Sequence, residues 1–327
     1  MQQFIKYFFI FLIISSCKLT DRSEEVGEIN FKQEMRKFVI GISQYAKAYN
    51  YDFAVVPQNG APLILQNGET WNNVNNEYIN AIDGQAQEGL NYGYVRIDMP
   101  TTFSVNSNLR IYLDSAKQRQ KTILVTDYCI TPTTIDDSFN VNFSNGYTGF
   151  VATQRALNNI PNYSVFQENN ASVINLSQAK NFLYILDYYQ FGTKADFINA
   201  VCQTNYDLLI IDPYFAEGNA FTAQEIQRLK HKENGGNRMV LAYMSVGEAE
   251  NYRYYWQASW NTHIPAWMDQ ENPNWRGNFK VKYWMKSWQD IIYGNDHSYT
   301  KKIINQGFDG VYLDIIDAYE YFEEKYN

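Results

Sequence analysis

Eight short apolar runs recur along the chain, and amphipathic segments separate them. The runs are rich in Val, Ile, Leu, Tyr and Phe and nearly continuous, as is typical of strands buried on both faces of a parallel sheet. They are 51–60 (YDFAVVPQNG), 78–85 (YINAIDGQ), 121–128 (KTILVTDY), 146–153 (GYTGFVAT), 181–189 (NFLYILDYY), 206–214 (YDLLIIDPY), 238–250 (RMVLAYMSVGEAE) and 307–317 (GFDGVYLDIID). Intervening segments such as TAQEIQRLKHKE have helical patterns. The pattern predicts an α/β fold, a (β/α)8 TIM barrel over residues 31–327, with an open doubly wound sheet as the alternative.

The two ends of this pattern are unusual. A predicted amphipathic helix opens the domain with no strand before it, because apolar residues recur at helical spacing at Phe31, Met35, Phe38, Val39, Ile42 and Ala46. The last strand, in GVYLDIID, is followed only by a short helical stub. A closed barrel places its first and last units side by side, so these two pieces can complete one βα unit. We therefore predict a circularly permuted barrel, in which residues 31–170 and 171–327 are its exchanged halves.

The N-terminal segment predicts export. A basic MQQFIK is followed by the apolar run YFFIFLII and then by ISSC, which is the pattern of a bacterial lipoprotein signal. We expect residues 1–16 to be the signal peptide, Cys17 to be lipidated and residues 17–30 to include a polar tether. The protein would then be anchored in the bacterial cell envelope, on the periplasmic or cell-surface side, and would touch the membrane only through its lipid. An ordinary secretory signal with a chance cysteine is the alternative.

Composition narrows the choice of partners and cofactors. The net charge of −8 argues against a nucleic-acid partner, which favours a basic surface. The three histidines, His231, His263 and His297, have no metal-ligand spacing, and no glycine-rich phosphate loop is present. We therefore expect neither a metal nor a cofactor.

Polar residues collect at the predicted strand ends, where the active sites of such barrels lie. One strand-end aspartate usually caps a helix, but a polar group at nearly every strand end indicates a site. A ring of carboxylates without His or Cys suits hydrolysis of a glycosidic bond, which needs one protonated and one ionised carboxyl group. The candidates are Asn59, Asp83, Glu88, Asp127, Arg155, Asp187, Asp212, Glu248, Glu250, Asp314 and Asp317.

Aromatic residues are concentrated after the strand that ends near Glu250. Six tryptophans lie between Trp256 and Trp288, with several tyrosines among them, including Tyr252. Aromatic rings stack well on sugar faces, but they also form the core of long connections. We expect most of these rings to be core and a few to face the substrate.

Several motifs resemble glycoside hydrolase family 114, the endo-α-1,4-polygalactosaminidase family. They are VLAYMSVGEAENYRYYW, NPNWRGNFKVKYW and GFDGVYLDIIDAYEYF, and DFAVVPQNG, AIDGQAQEGLNYG and ILVTDY are similar to that family as well. In the usual order the last three follow the LDIIDAYEYF strand instead of preceding it. The resemblance spans about residues 31–327 with the halves exchanged.

The resemblance implies a TIM barrel with two catalytic carboxylates, which fall on Asp314 and Glu88, with Asp83 as the alternative to Glu88. By hypothesis Asp314 is the nucleophile or base and Glu88 the general acid. The expected substrate-binding residues are Asp317, Glu248, Asp187, Asp212, Asn59, Asp83, Asp127, Tyr252, Trp256 and Arg155. The implied substrate is an α-1,4-linked galactosamine-type polysaccharide, cut internally and attracted as a cation by the acidic rim. The alternatives are a sugar-binding barrel lipoprotein without turnover and a hydrolase for a different glycan.

Overall fold

The computed structural model describes residues 29–66 and 73–326. The predicted signal peptide (1–16), the predicted lipidation site Cys17 and nearly all of the tether lie outside these ranges. Within the two ranges, no helix combines the length and apolarity that crossing a membrane requires.

The described residues alternate between helices and strands. The helices are α1 Phe31–Tyr49, α2 Asn76–Ala81, α3 Phe103–Gln118, α4 Pro132–Ser144, α5 Lys194–Cys202, α6 Ala223–Leu229, α7 Lys286–Ile292, α8 Tyr299–Gln306 and α9 Ala318–Tyr326. The strands are β1 Ala54–Pro57, β2 Gly84–Glu88, β3 Thr122–Tyr128, β4 Thr148–Ala152, β5 Phe182–Ile185, β6 Leu208–Ile211, β7 Tyr214–Ala216, β8 Asn219–Ala220, β9 Met239–Ser245, β10 Glu248–Glu250, β11 Met268–Glu271, β12 Asn278–Val281 and β13 Gly310–Asp314.

Parallel strands form the centre of the molecule. One sheet has the order β1–β13–β9–β6–β5 and another the order β2–β3–β4, and every neighbouring pair in them is parallel. A parallel bridge between Gln58 and Ala86 joins the two sheets. At the other seam, β4 and β5 meet through side chains, with the Phe150 and Phe182 ring centroids 5.4 Å apart. The predicted mixed α/β fold with a parallel central sheet is confirmed, and it is consistent with a TIM-like domain.

Helix α1 forms as its apolar spacing predicts. The Asn30 side chain accepts a hydrogen bond from the Gln33 amide at 2.9 Å and caps the first turn. All six predicted apolar positions are at most 5% exposed, and together they form one buried stripe: Phe31, Met35, Phe38, Val39, Ile42 and Ala46. The helix is therefore anchored in the hydrophobic core through this stripe.

The predicted strand at residues 78–85 is wrong in its boundaries. Residues 76–81 are helix α2, capped by the Asn75 side chain, which accepts from the Tyr78 amide at 3.0 Å. The strand begins only at Gly84, where an added Cβ would lie 2.8 Å from the Thr122 carbonyl oxygen of β3. Short apolar runs do not distinguish helix from strand, and the true strand, GQAQE, is too polar to stand out.

The tryptophan-rich connection forms a second layer beside the sheet. Strands β10, β12 and β11 pair antiparallel within it. A chain of rings runs from Trp256 through Trp260 and Trp267 to Trp288, with successive centroids 5.3, 5.0 and 4.8 Å apart. Trp288 is fully buried, whereas Trp275 is 66% exposed. Most of these rings are thus core, as expected.

Candidate active site

A cavity of about 290 Å³ opens at the carboxyl ends of β1 and β2 and beside the loop that follows β13. Its wall combines carboxyl, amide and guanidinium groups with an apolar side formed by Pro62, Tyr94 and Leu109. The polar lining comes from Asn59, Gln87, Glu88, Tyr128, Arg155, Asp317 and Glu320. In parallel α/β folds this edge of the sheet is where ligands bind.

Glu88 is the last residue of β2 and is partly buried in this wall. The Tyr128 hydroxyl, on the neighbouring strand β3, donates a hydrogen bond to Glu88 Oε1 at 2.6 Å. Burial raises the pKa of Glu88 to about 7; the Tyr128 hydrogen bond opposes this rise, and the negative charge of Asp314 adds to it. Glu88 can therefore carry a proton near neutral pH, as a general acid must.

Asp314 is the last residue of β13 and is held in the same way. The Tyr243 hydroxyl, on the neighbouring strand β9, donates to Asp314 Oδ2 at 2.7 Å. Burial raises the pKa of Asp314 to about 6. The Tyr243 hydrogen bond lowers this pKa, and the negative charges of Glu250 and Glu248 raise it. Burial thus brings the pKa of both carboxyls toward neutral pH.

The two carboxyl groups flank one strand. In the sheet order β1 lies between β13 and, through the Gln58–Ala86 bridge, β2. Side chains two residues apart on a strand share a face, which puts Glu88 on the face of Ala86 and Asp314 on that of Tyr312. A hydrogen bond from Gln58 stabilises ionised Glu88, and the charge of Asp314 raises the pKa of Glu88. Both side chains therefore lie on the same face of the sheet, because Val56 pairs with Tyr312 and Gln58 with Ala86. Glu88 lines the cavity, whereas Asp314 lies beside it and is not part of its lining.

Three further predicted residues lie at this cavity. Asn59 lies two residues after β1 in a left-handed conformation with φ 57°, and its Oδ1 accepts from Gln87 Nε2 at 3.0 Å and from the Glu88 amide at 3.2 Å. The Arg155 guanidinium lies over the Tyr128 ring, 4.6 Å from its centroid. Burial raises the pKa of Asp317 to about 7, and the charges of Asp314 and Glu320 add to the effect.

Three other predicted residues line a second cavity of about 390 Å³, at the ends of β5 and β6. Exposed Asp187 and half-exposed Tyr252 are on its wall. Asp212 lies there too, but its carboxylate accepts two hydrogen bonds from Arg253, at 2.7 and 2.6 Å. The predicted rim thus consists of two separate cavities.

Two predicted substrate ligands are instead buried and bonded within the protein. Asp127 is fully buried and accepts from Asn91, Ser138 and Asn142. Glu248 is 1% exposed, and Asn272 Nδ2 donates to its Oε1 at 2.7 Å. Their carboxylates hold loops together, so the structure does not bring them to the cavity surface.

Asp83 and Trp256 also lie away from the cavity. Asp83 precedes β2, so it lies at the amino end of the strand, where it accepts from the Val55 amide at 2.8 Å and pairs with Lys47 at 3.0 Å. Asp83 was predicted as a site residue because the strand was predicted at residues 78–85, whereas it begins at Gly84. The Trp256 ring packs against Trp260 and Phe279 at 5.3 and 5.1 Å.

The sequence model of the glycoside-hydrolase family GH114 matches residues 164–327 of the chain, half of its length. This chain belongs to the glycoside-hydrolase family GH114. Asp314 lies inside the matched segment, whereas Glu88 lies outside it. The predicted membership of this family is confirmed, and the resemblance of the motifs before residue 164 stays a prediction.

Three relatives match parts of the chain. An uncharacterized protein of Methanocaldococcus jannaschii is 40% identical over 48% of this chain and 43% of its own length. Uncharacterized proteins of Deinococcus radiodurans and Thermotoga maritima are 41% and 36% identical, each over 38% of this chain and 37% of their own lengths. The aligned region thus spans less than half the length of each relative.

The sequence reasoning missed several residues of this candidate site. Tyr128 and Tyr243 hold the two carboxyls, and Tyr94 and Glu320 line the cavity. Gln87 also lines it and has a buried Oε1 without a hydrogen-bond partner among the described residues. The tyrosines carried a readable signal, because both lie on predicted strands next to the strands that end in Glu88 and Asp314.

Proposed function

We propose that this chain is an endo-acting glycoside hydrolase that cleaves α-1,4-linked galactosamine-type polysaccharide with Asp314 and Glu88. The observation that carries the proposal is the pair of partly buried carboxyls on either side of β1, with pKa values of about 6 and 7. Such a pair supplies one ionised and one protonated carboxyl group between these values, which is what glycoside hydrolysis requires.

In this mechanism Glu88 donates its proton to the glycosidic oxygen as the bond to the leaving sugar breaks. Asp314, ionised, attacks the anomeric carbon or takes a proton from the attacking water. The negative charge of Asp314 raises the pKa of Glu88, which supports an ionised Asp314 beside a protonated Glu88.

The nature of the sugar follows from charge and from the family resemblance. Asp317 and Glu320 add carboxyl groups to the cavity, and Arg155, the cation of its lining, lies over an aromatic ring. A polymer with free amines is cationic and is attracted to such a surface. Asp317 and Asn59 are proposed to bind the sugar's amine and hydroxyl groups.

The element order supports a circularly permuted TIM barrel. The first and last parallel strands, β1 and β13, are neighbours, and the rings of Phe31 and Tyr326 lie 5.8 Å apart. The connection from β4 to β5 has no α-helix, only the 3-10 turn Leu176–Gln178. The family match begins at residue 164, inside this connection. Each fact fits a barrel whose halves have exchanged places.

The test of function is incubation of the soluble domain, from Lys18, with α-1,4-galactosamine oligomers, followed by mass spectrometry of the products. Fully acetylated, partly acetylated and free-amine forms identify the substrate. Asp314→Asn and Glu88→Gln are expected to lower kcat by about 10²–10⁴-fold. Asp136→Asn, on an exposed part of α4, is the control and should leave kcat unchanged.

Folding is checked on the same variants by thermal melting. Because burial raises the pKa of both carboxyls, their ionised forms destabilise the folded protein above pH 7, and the amide variants should melt no lower than wild type there. Intact oligomers in every form would refute the polygalactosaminidase assignment and favour a hydrolase for a different glycan. Retained binding without cleavage would favour a sugar-binding barrel.

We also propose that the protein is a cell-envelope lipoprotein anchored through Cys17. This location would place the enzyme beside a polymer too large to enter the cell. Cys17→Ser should move the protein from the membrane fraction to the soluble fraction of the expressing bacterium. Unchanged fractionation would contradict the anchor without affecting the assignment of the hydrolase site.

A further inference from the structure

The second cavity is distinct from the one that Glu88 lines, although Glu250, which Tyr252 and Arg253 of its wall contact, also raises the pKa of Asp314. It opens at the ends of β5 and β6, and neither Glu88 nor Asp314 lines it. Its volume of about 390 Å³ falls within the range of small-ligand sites, roughly 300–1,000 Å³. In the five-stranded sheet, β5 and β1 are the two outer strands. Four strand spacings, roughly 19 Å along the sheet, therefore separate this cavity from Asn59.

Two exposed tyrosines give this cavity flat apolar surfaces. Tyr189 is 89% exposed and Tyr252 is 42% exposed. The Tyr189 amide donates to Asp187 Oδ1 at 2.8 Å, which fixes the aromatic residue and the carboxylate in one turn. The Tyr252 hydroxyl donates to Glu250 Oε1 at 2.7 Å. Rings of this kind, with one face open to solvent, stack on the faces of sugars.

The charge at the base of the cavity is not balanced. Arg253 Nε donates to Glu250 at 2.5 Å, and its two terminal nitrogens donate to Asp212 at 2.7 and 2.6 Å. One guanidinium therefore serves two carboxylates, which leaves one negative charge. Exposed Asp187 and Glu217 add two more on the same wall. Such a surface attracts a cation.

We infer that this second cavity is a distal subsite for an amino sugar, with Tyr189 as the stacking platform and Asp187 as the partner of the ammonium group. The inference rests on the proposed function, because a single polymer chain is what would occupy both cavities. It extends that function to the length of the substrate. A sugar chain long enough to cross the edge of the sheet occupies both cavities, whereas a disaccharide occupies only one cavity.

The experiment measures binding by calorimetry to the Asp314→Asn protein, with the free-amine α-1,4-galactosamine octamer and dimer as probes. Tyr189→Ala should weaken octamer binding about tenfold, as expected for a lost stacking contact. Asp187→Asn keeps the turn but removes the charge, and should weaken binding severalfold. Neither change should affect the dimer. Tyr51→Ala, at another exposed tyrosine (85%), is the matched control.

The acetylated octamer isolates the role of charge. With this probe Tyr189→Ala should still weaken binding, whereas Asp187→Asn should have no effect. Octamer affinities that are unchanged in Tyr189→Ala, or an octamer that does not bind, would overturn the subsite. Cleavage by wild type with unchanged binding in Tyr189→Ala refutes the subsite alone. Tyr189-dependent binding without cleavage by wild type refutes the hydrolase alone.

Discussion

At the residue scale, the site is built from two matched pairs. Each of the two proposed catalytic carboxyls ends one strand and accepts a hydrogen bond from a tyrosine hydroxyl of the neighbouring strand: Tyr128 for Glu88, and Tyr243 for Asp314. A hydrogen bond to a carboxylate stabilises its ionised form, so each tyrosine partly offsets the rise in pKa that burial causes. The strand next to each carboxyl thereby helps to set the pH range of activity.

Tyr128→Phe should move the alkaline limb of the pH–rate profile. Loss of the hydrogen bond raises the pKa of Glu88 above about 7, so the acid keeps its proton to higher pH and this limb shifts upward by about one pH unit. The other groups that act on Glu88, which are Asp314, Arg155 and Gln58, are unchanged. The measurement is kcat/KM between pH 4 and pH 10.

Tyr243→Phe is the matched variant and should move the acidic limb instead. The pKa of Asp314 rises above about 6, so the base becomes protonated at higher pH and this limb also shifts upward. Glu250, Glu248 and Asp317 still face Asp314 in this variant. If Tyr128→Phe moved the acidic limb and Tyr243→Phe the alkaline one, the roles of the two carboxyls would be reversed.

At the element scale, the loop after β2 forms a wall of the catalytic cavity and is anchored by one aspartate. Asp98, at φ 63°, accepts from the amides of Ile130 and Thr131 at 2.9 and 3.1 Å, and from the Thr134 hydroxyl at 2.6 Å. Helix α4 has no capping bond from Thr131, its own N-cap residue. Asp98 of the loop after β2 thus caps α4. This contact connects the start of α4 to the cavity wall at Tyr94.

Asp98→Ala should lower the free energy of unfolding by about 1 kcal/mol, roughly 2 °C in Tm, as for a lost helix cap. Although burial raises the pKa of Asp98, the hydrogen bonds from Thr134, Thr131 and Ile130 outweigh it and bring the pKa to about 2. Because this lies below the ordinary value of 3.8, the stabilisation is present above about pH 4 and is lost as the pH falls through 2.

Thermal melts of wild type and variant at several pH values check this prediction. The difference in Tm should be largest near neutral pH and should shrink below pH 3. Asp98→Asn is the control, because Asn tolerates the left-handed conformation and keeps one acceptor oxygen, so it should lose less stability. A difference in Tm that is the same at pH 7 and pH 2.5 would exclude the charged cap.

At the scale of the whole molecule, the ends of the described domain are neighbours. The Tyr326 ring stacks on the Phe31 ring with a centroid distance of 5.8 Å, and Phe322 lies equally near. Ser164, where the family match begins, is exposed in the connection from β4 to β5. The proposed permutation thus predicts that the chain can be joined at its described ends and opened at Ser164.

A rearranged chain tests this organisation. It runs from Ser164 to Tyr326, continues through a short Gly/Ser linker, and ends with residues 29–163. It should fold with the wild-type circular dichroism spectrum and a Tm within a few degrees, because only surface connections change. A chain opened inside β3, between Leu124 and Val125, is the control and should not fold. Failure of the Ser164 chain to fold would count against the exchange of halves.

Apolar runs determined much of the architecture. The parallel strands and the apolar stripe of α1 were predicted from residue spacing, since the period of apolar residues indicates the type of element. Asp314 was also readable, because it directly follows the apolar run of β13. Strand β2 is short and polar, so its boundary was predicted wrongly. Asp83 was therefore placed at the carboxyl end of the strand, whereas it lies at the amino end.

Tertiary structure decided which polar residues are available to a ligand. In the sequence, Asp127, Asp212 and Asp187 all follow apolar strands, but only the fold shows that the first is buried, the second is paired with Arg253 and the third is exposed. Tertiary structure also decided that Tyr128 donates a hydrogen bond to Glu88, 40 residues away in the sequence, and that Tyr243 donates one to Asp314, 71 residues away. The sequence by itself determined the strands and the chemistry at their ends, because these depend on neighbouring residues. Burial, pairing and proton affinity depend on contacts between distant segments, and only the folded chain creates them.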